Sequence, residues 1–338
     1  MMKVRWSWLS LPLLTAIVAC NSIIGFNDLQ KVDDSTTRDG GTGSTPSSST
    51  PSTPTASTTG TTPPPSTLCS NSRAWGTPQL VPGVNSTNTD RIVSLSSDEL
   101  TMVFQNSQGS DRASSTNVFL ATRAAKTATF GAPAAISTLT GGNRNFEPSL
   151  SSDGLTIFWD AVDANNQFSV LYRATRAAGG TFATPTQLPN IAAASTDTLS
   201  PFISADGAEL FMLRASSPNA PRTIFHSLKS GADFGAPSAL AEIGVTVTGD
   251  VDAIALSADR LTLYFSSATT AGGLGGYDIF MSSRSSTTSA FIAPTPVTAL
   301  NSSSGDDVGW VSADNCRVYM SSDRGGNDDI YMASRTPQ

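Results

Sequence analysis

An all-β chain folded as a five-bladed β-propeller of four-stranded antiparallel blades is the architecture to expect from this sequence. Composition points that way first. Charged residues make up only 14 %, and Gly, Pro and hydroxyl side chains are plentiful. Helical bundles need Ala, Glu, Lys, Leu and Arg in bulk, whereas this mixture suits short strands and many turns. A repeat points that way next. An aromatic residue is followed three positions later by proline at Trp75/Pro78, Phe130/Pro133, Phe182/Pro185, Phe234/Pro237 and Phe291/Pro294. A Ser-x-Asp turn recurs at Asp98, Asp153, Asp206, Asp259 and Asp314, spaced 55, 53, 53 and 55 residues apart. A basic residue closes an apolar run at Arg123, Arg176, Lys229, Arg284 and Arg335. Three markers in register over five copies mark one supersecondary unit, repeated.

The chain opens on an address. Lys3 and Arg5 precede an apolar stretch from Trp6 to Val18. Thirteen residues are too few to span a bilayer, which takes about 20, so a signal peptide is expected. Its end, Ile17-Val18-Ala19-Cys20, resembles the lipobox of bacterial lipoproteins. The resemblance implies that residues 1–19 are removed and that Cys20 carries the lipid and becomes the first residue. Asn21, rather than Asp, follows the anchor. In Gram-negative lipoproteins that implies an outer-membrane location, with the propeller in the periplasm or at the cell surface.

Residues 20–67 are expected to be a tether. Of the 33 residues in 35–67, 30 are Ser, Thr, Pro or Gly, and no apolar face can be built from them. Such a chain averages roughly 30 Å end to end and reaches roughly 110 Å fully extended.

Residues 68–338 are assigned to the propeller. The second unit shows the pattern. Pro148 to Ser151 reads as a first strand, Ser152-Asp153-Gly154 as a tight hairpin turn, Leu155 to Trp159 as a second strand, Ser169 to Thr175 as a third, and the stretch from Phe182 to Leu188 as a fourth. Pro185 suits an outer edge strand, where a missing N–H is tolerated. Second and third strands such as Leu263-Tyr264-Phe265 and Ile279-Phe280-Met281 are apolar throughout, as strands buried on both faces are. A radial stack of sheets buries both faces and shields its edges.

The units resemble the TolB-like (WD-like) propeller repeat. The best copies run from Leu256-Ser257-Ala258-Asp259 through Leu263-Tyr264-Phe265-Ser266-Ser267 to Gly276-Tyr277-Asp278-Ile279-Phe280, and from Tyr319 through Ser321-Ser322-Asp323-Arg324-Gly325-Gly326 to Asp329-Ile330-Tyr331. TolB itself has six blades and a further N-terminal domain. Five units are counted here.

The array begins at a fourth-strand marker, Trp75, and ends at a third-strand marker, Arg335. The last unit therefore lacks its own outer strand, and residues 75–81 can supply it and close the ring. With Cys20 lipidated, two cysteines remain. Cys69 precedes the closing strand and Cys316 starts the second strand of the last unit, where the other units carry Leu100, Leu155, Ala208 and Leu261. The closed ring brings both to one end of one sheet, so a Cys69–Cys316 disulfide is expected in an exported protein.

A functional site is sought where loops converge. Loops entering the inner strands carry Asp90, Glu147, Asp197, Asp250, Asp252, Asp306 and Asp307, partly offset by Arg91 and Arg144. These acids are expected to ring the channel mouth as a funnel for a basic protein segment, a cation or a polyol, although turn acids are also common as solvated caps. No loop has EF-hand spacing, so no metal site is assigned, with Asp306-Asp307 and the stretch from Asp323 to Asp329 as the weaker Ca²⁺ candidates. The repeated turn aspartates are read as structural. The one histidine, His226, stands where other units carry Leu120, Arg173, Met281 and Met332, and is read as packing or surface. A single histidine excludes multi-histidine metal centres. No phosphate-cradling loop is present, and no catalytic set or cofactor is assigned.

A formal charge of −7, becoming −9 on loss of Lys3 and Arg5, argues against nucleic acid as a partner. The leading expectation is a monomeric, non-enzymatic binding module, anchored to the outer membrane by its lipid alone and engaging an envelope protein. A glycoside hydrolase or lyase using channel-mouth carboxylates, or a purely structural surface protein, are the alternatives.

Overall fold

The computed structural model describes residues 68–337 apart from 108–115, 140–144, 163–167, 192–195, 218–219, 241–249, 269 and 271. The signal peptide, Cys20, the tether of residues 20–67 and Arg144 lie outside the described residues.

The chain enters through a two-residue strand, β1 (Gln79–Leu80), and then lays down one blade after another. Blade 1 is β2 (Thr89–Leu95), β3 (Thr101–Ser107), β4 (Thr116–Thr122) and β5 (Ala134–Ala135). Blade 2 is β6 (Asn145–Leu150), β7 (Thr156–Val162), β8 (Ser169–Thr175) and β9 (Thr186–Gln187). Blade 3 is β10 (Asp197–Ile203), β11 (Glu209–Ala215) and β12 (Thr223–Ser230), which pairs both with β13 (Asp233–Phe234) and with the outer β14 (Ser238–Ala239). Blade 4 is β15 (Val251–Leu256), β16 (Thr262–Ser267), β17 (Asp278–Ser283) and β18 (Thr295–Pro296). Blade 5 is β19 (Asp306–Val311), β20 (Arg317–Ser322) and β21 (Asp329–Ser334), and β1 completes it through Gln79 opposite Met332 and Leu80 opposite Tyr331. Every sheet is antiparallel, and the described residues contain no helix.

The inner three strands of each blade match the expected pattern, but the outer strands are shorter than the apolar runs suggest. Each of β1, β5, β9, β14 and β18 is two residues long and begins immediately after its marker proline. Proline removes one ladder donor at the edge, and the adjoining aromatic turns inward instead of extending the sheet.

Cores form between neighbouring blades. Ile157 and Trp159 pack with Val103 and Val118 of blade 1, and Phe158 packs with Leu210, Met212 and Phe234 of blade 3. Phe104, Trp159, Phe211, Tyr264, Phe265, Phe280 and Tyr319 are all fully buried, as middle strands apolar on both faces require.

Two of the sequence markers are partners. The guanidinium carbons of Arg123, Arg176, Arg284 and Arg335 lie 4.4, 4.7, 4.4 and 4.1 Å from the ring centres of Phe130, Phe182, Phe291 and Trp75. Each Nε also donates to a hairpin carbonyl, of Glu99, Gly154, Arg260 and Asn315. The third marker is a cap. The Ser96, Ser151, Ser204, Ser257 and Ser312 hydroxyls donate to Asp98, Asp153, Asp206, Asp259 and Asp314 at 2.5–2.6 Å. Each carboxylate then accepts the N–H two residues on. This Asx-turn geometry is why the motif repeats.

Cys69 and Cys316 are joined by a disulfide with Cα atoms 5.1 Å apart. It ties the segment before the closing strand to the last hairpin.

Candidate functional site

Each inner strand carries an irregularity near its start, with register shifts at Arg91/Ser94, Phe146/Ser149, Leu199/Phe202, Val251/Ala253 and Val308/Trp310. In three adjacent blades the bulge places a side-chain-bearing residue in left-handed backbone: Ile92, Glu147 and Ser200, with φ of 44°, 47° and 49°. Such bulges re-aim side chains and often border functional sites.

A polar residue on the second strand of the preceding blade holds the bulge in place. Gln105 accepts the Glu147 N–H at 3.3 Å, Ser266 accepts the Val308 N–H at 2.9 Å, and Ser321 accepts the Ile92 N–H at 3.4 Å. Asp160 does the same for the Ser200 N–H.

Above the bulges lies a cup of about 210 Å³ on the propeller axis, lined by Arg91, Gln105, Phe146, Glu147, Asp160, Arg222 and Asp252 among others. Below it the axis is filled. Ile92, Pro148, Pro201, Ile254 and Val308 leave a gap of only about 10 Å³. The cup is therefore blind.

Its electrostatics centre on two arginines. Arg91 pairs with Asp252 at 2.9 Å, with Asp307, and more distantly with Asp328 at 3.8 Å. Arg222 pairs with the other oxygen of Asp252 and lies 3.8 Å from Asp250. Burial works against both guanidinium charges, but these carboxylates outweigh it and hold both above the ordinary arginine value. Burial pushes the Asp307 carboxyl up to about 7, opposed by Arg91 and assisted by Asp252 and Asp328. Burial also raises Glu147, with Asp252 adding to it and Arg222, Ser200 and Arg91 opposing. Asp160 is held well above the ordinary carboxylate range, by burial first and by Glu147 second. The Ser200 hydroxyl bonds both the Glu147 carboxyl and the Asp252 carbonyl.

Of the acids expected at the mouth, the structure brings Glu147, Asp252 and Asp307 together. Asp250 sits at the rim, accepting a 2.8 Å bond from the Tyr277 hydroxyl. Asp90, Asp306 and Asp197 turn the other way. Asp90 accepts from the Ser86 N–H and hydroxyl and from Asn106. Asp306 repeats this arrangement with Ser302 and Ser322, and adds Arg324. Asp197 accepts the Ser169 N–H at 2.8 Å. Asp90 and Asp306 brace the loops beside their own blades, and Asp197 links blade 3 to the third strand of blade 2. Among the described residues no three His, Cys, Asp or Glu side chains are arranged to hold a metal ion.

Asp160 and Arg222 escaped the sequence reading. A signal for Asp160 was present: its register position is polar in four of five repeats, as Gln105, Asp160, Ser266 and Ser321. His226 lies outside the cup, bonding Glu209 at 2.6 Å and Ser238 at 3.0 Å and stacking on Phe211.

A larger groove of about 690 Å³ opens between blades 2 and 3 on the turn side, lined by Thr156, Arg173, Gly207, Lys229 and Phe234 among others. Lys229 stands there in place of the ring-stacking arginine of the other blades. The charged Arg173 is already satisfied by Asp233 at 2.7 Å and by the Ala232 carbonyl. The cup concentrates buried charge and the groove does not, so the cup is the candidate site.

No family model and no curated protein matches this sequence. Solved structures share its fold. TolB from Acinetobacter baumannii is 16 % identical with a TM-score of 0.41, over 75 % of this chain and 56 % of that one. The chain thus spans little more than half the length of that TolB. The GH43_1 enzyme from Xanthomonas citri complexed with xylotriose is 12 % identical with a TM-score of 0.50, over 76 % and 89 %. The periplasmic gluconolactonase PpgL from Pseudomonas aeruginosa is 13 % identical with a TM-score of 0.41, over 71 % and 70 %. The likeness is one of fold, and it spans TolB and enzymes alike.

Proposed function

We propose that this chain is an exported, lipid-anchored binding module whose channel-mouth cup receives a ligand or a segment of an envelope protein. One observation carries the reading. Three buried carboxyls, Asp160, Asp252 and Asp307, and the half-buried Glu147 stand against two arginines at the lip of a blind cup of about 210 Å³. Such a concentration of buried charge is costly to folding and needs a return in recognition. The lipobox-like Cys20 and the Ser/Thr/Pro-rich stretch support presentation on a tether. Envelope proteins retained on immobilised full chain, and lost when Glu147→Gln is immobilised instead, are the expected result. Equal retention by both overturns the cup as the binding site. Mass spectrometry of the Cys20 peptide should show diacylglycerol, and an unmodified thiol overturns the anchor.

A second reading has its own support. Raised carboxyls at Glu147 and Asp160 beside Asp252, which pairs with Arg91 and Arg222, are the environment of a general acid next to a second carboxyl. Under this reading the chain cleaves glycosidic bonds, and xylan-type oligosaccharides are the first substrates to try. Release of sugar by the wild-type chain and its loss in Glu147→Gln would select it. No release from plant or envelope polysaccharides removes it.

A further inference from the structure

Asp160 carries more charge than its place in the fold requires. Its register position needs only an acceptor for the next blade's bulge N–H, and Gln105, Ser266 and Ser321 fill that need with neutral groups. Asp160 meets it with one side of its carboxyl. Its Oδ1 is fully buried, has no hydrogen-bond partner, and belongs to a side chain that lines the cup. The residue is only 2 % exposed.

Glu147 is the matching surplus. The equivalent bulge positions hold Ile92, Ser200, Ala253 and Val308, so nothing in the backbone asks for an acid there. The two arginines are spoken for. Arg91 is bound by Asp252, Asp307 and Asp328, and Arg222 by Asp252 and Asp250. Among the described residues, Glu147 and Asp160 thus both line the cup without a direct ion pair of their own, and Arg222 acts on them only from a distance. Of the charged groups near them, Asp252 and Arg91 act on Glu147 and Arg222 acts on both, while Gln105, Ser169 and Ser200 are neutral. Burial disfavours charge on Asp160 and Glu147 adds to that, so the two carboxyls cannot both ionise at little cost and the empty pair retains a proton.

We propose that the cup is a receptor for a single ammonium or guanidinium group, which displaces the proton retained by the Glu147 and Asp160 pair. This rests on the cup being the binding site. A cation with several N–H donors satisfies Oδ1 of Asp160 and supplies the charge that the pair lacks, which a neutral polyol does not. On binding, one carboxyl O–H loses its proton to buffer and the resulting carboxylate pairs with the incoming N–H. The volume admits a ligand of about ten heavy atoms. A free amine or guanidine and a lysine or arginine side chain of another protein share this chemistry.

Calorimetry of the full chain at pH 7.5 tests it, with agmatine and the peptide Gly-Arg-Gly-amide as probes and 1,4-butanediol as the neutral control. Titrations in phosphate and in Tris, whose ionisation heats differ, should show about one proton released per agmatine bound. Affinity should rise as pH is raised from 5.5 to 7.5. Glu147→Gln and Asp160→Asn should each lower agmatine affinity at least tenfold, and the release of a proton should vanish in both. Asp160→Asn keeps an acceptor for the Ser200 N–H, and its unfolding midpoint shows whether the fold is retained. Agmatine bound without the peptide points to a free amine, and the reverse to a protein side chain. Agmatine bound without proton release overturns the displacement. Butanediol or sugars bound as tightly as agmatine overturn the cationic class while leaving the cup a binding site. If no probe binds and wild type and Glu147→Gln retain the same envelope proteins, the cup reading falls as well.

Discussion

The guanidinium carbon of Arg335 lies 4.1 Å above the ring centre of Trp75, joining the last strand of the propeller to the segment that enters its first blade. In blades 1, 2 and 4 the same pair forms within one blade, between residues six or seven apart. Here the partners are 260 residues apart, and the local contact becomes the clasp of the ring. Arg335 also donates to the Asn315 carbonyl and to the Asn71 side chain, so one residue binds the hairpin, the entry segment and the aromatic.

Arg335→Ala should lose the clasp. Cation–π stacking and the charge-assisted bonds together are worth about 1–3 kcal/mol. Urea unfolding should show a loss in that range, while Arg123→Lys, which keeps the charge and stem of an internal copy, should cost less. Equal costs would mean that ring closure gives the terminal pair no special weight.

Reducing the Cys69–Cys316 bond should lower the unfolding midpoint. The two cysteines are 247 residues apart, and in the chain-entropy model closing so long a loop contributes up to about 5 kcal/mol. Urea curves with and without dithiothreitol, paired with a thiol count, measure it. A midpoint unchanged while both thiols titrate would show that β1 and Arg335 close the ring unaided.

Stability should depend on pH in two opposite ways. Burial raises Asp307 to about 7, and Glu147 and Asp160 are raised by the same cause. A carboxyl raised in the folded state binds more protons folded than unfolded, so its contribution is full below pH 3.8 and lost as pH rises through 7. At the turns burial opposes, but the serine hydroxyls and backbone N–H groups hold Asp98, Asp206 and Asp314 below 3.8, and the Ser151 hydroxyl lowers Asp153. Their contribution is present above 3.8 and lost below it. Stability should therefore rise from pH 8 toward pH 4.5 and fall below about 3.8. Asp307→Asn should flatten the upper limb, and an upper limb unchanged by it would show that Asp307 is ionised throughout.

Gly309→Ala should destabilise strongly. An added Cβ would sit 2.4 Å from the Val93 carbonyl oxygen and 2.6 Å from its Cγ1, where β19 passes β2 beside the axis. Backbone cannot yield as a side-chain tip does, and overpacking of this kind costs at least about 2 kcal/mol. A midpoint within error of wild type would show that the inner strands can spread.

The architecture was legible because its markers do local work that every blade repeats. The Ser-x-Asp turns and the arginine–aromatic stacks of blades 1, 2 and 4 are satisfied within a blade, so marker spacing counts the blades. The pairing of chain ends followed from which marker came first and which last. Asp160 shows where that reading stopped: its polar register was visible, but the orphaned Oδ1 was not, because partners from the next blade decide it.

Composition and spacing determined the five blades and the closing strand, and they singled out Cys69 and Cys316 as the pair to join. The tertiary structure alone decided which acids share a site. Asp306 and Asp307 are neighbours in sequence, yet Asp306 turns into its own blade toward Ser302 and Arg324, while Asp307 turns to Arg91 of the neighbouring blade 1. Successive side chains on a strand point to opposite faces, and a bulge resets which face is which. Charge in sequence is therefore a poor guide to charge in space, and the cup exists only once five bulged strands meet on one axis.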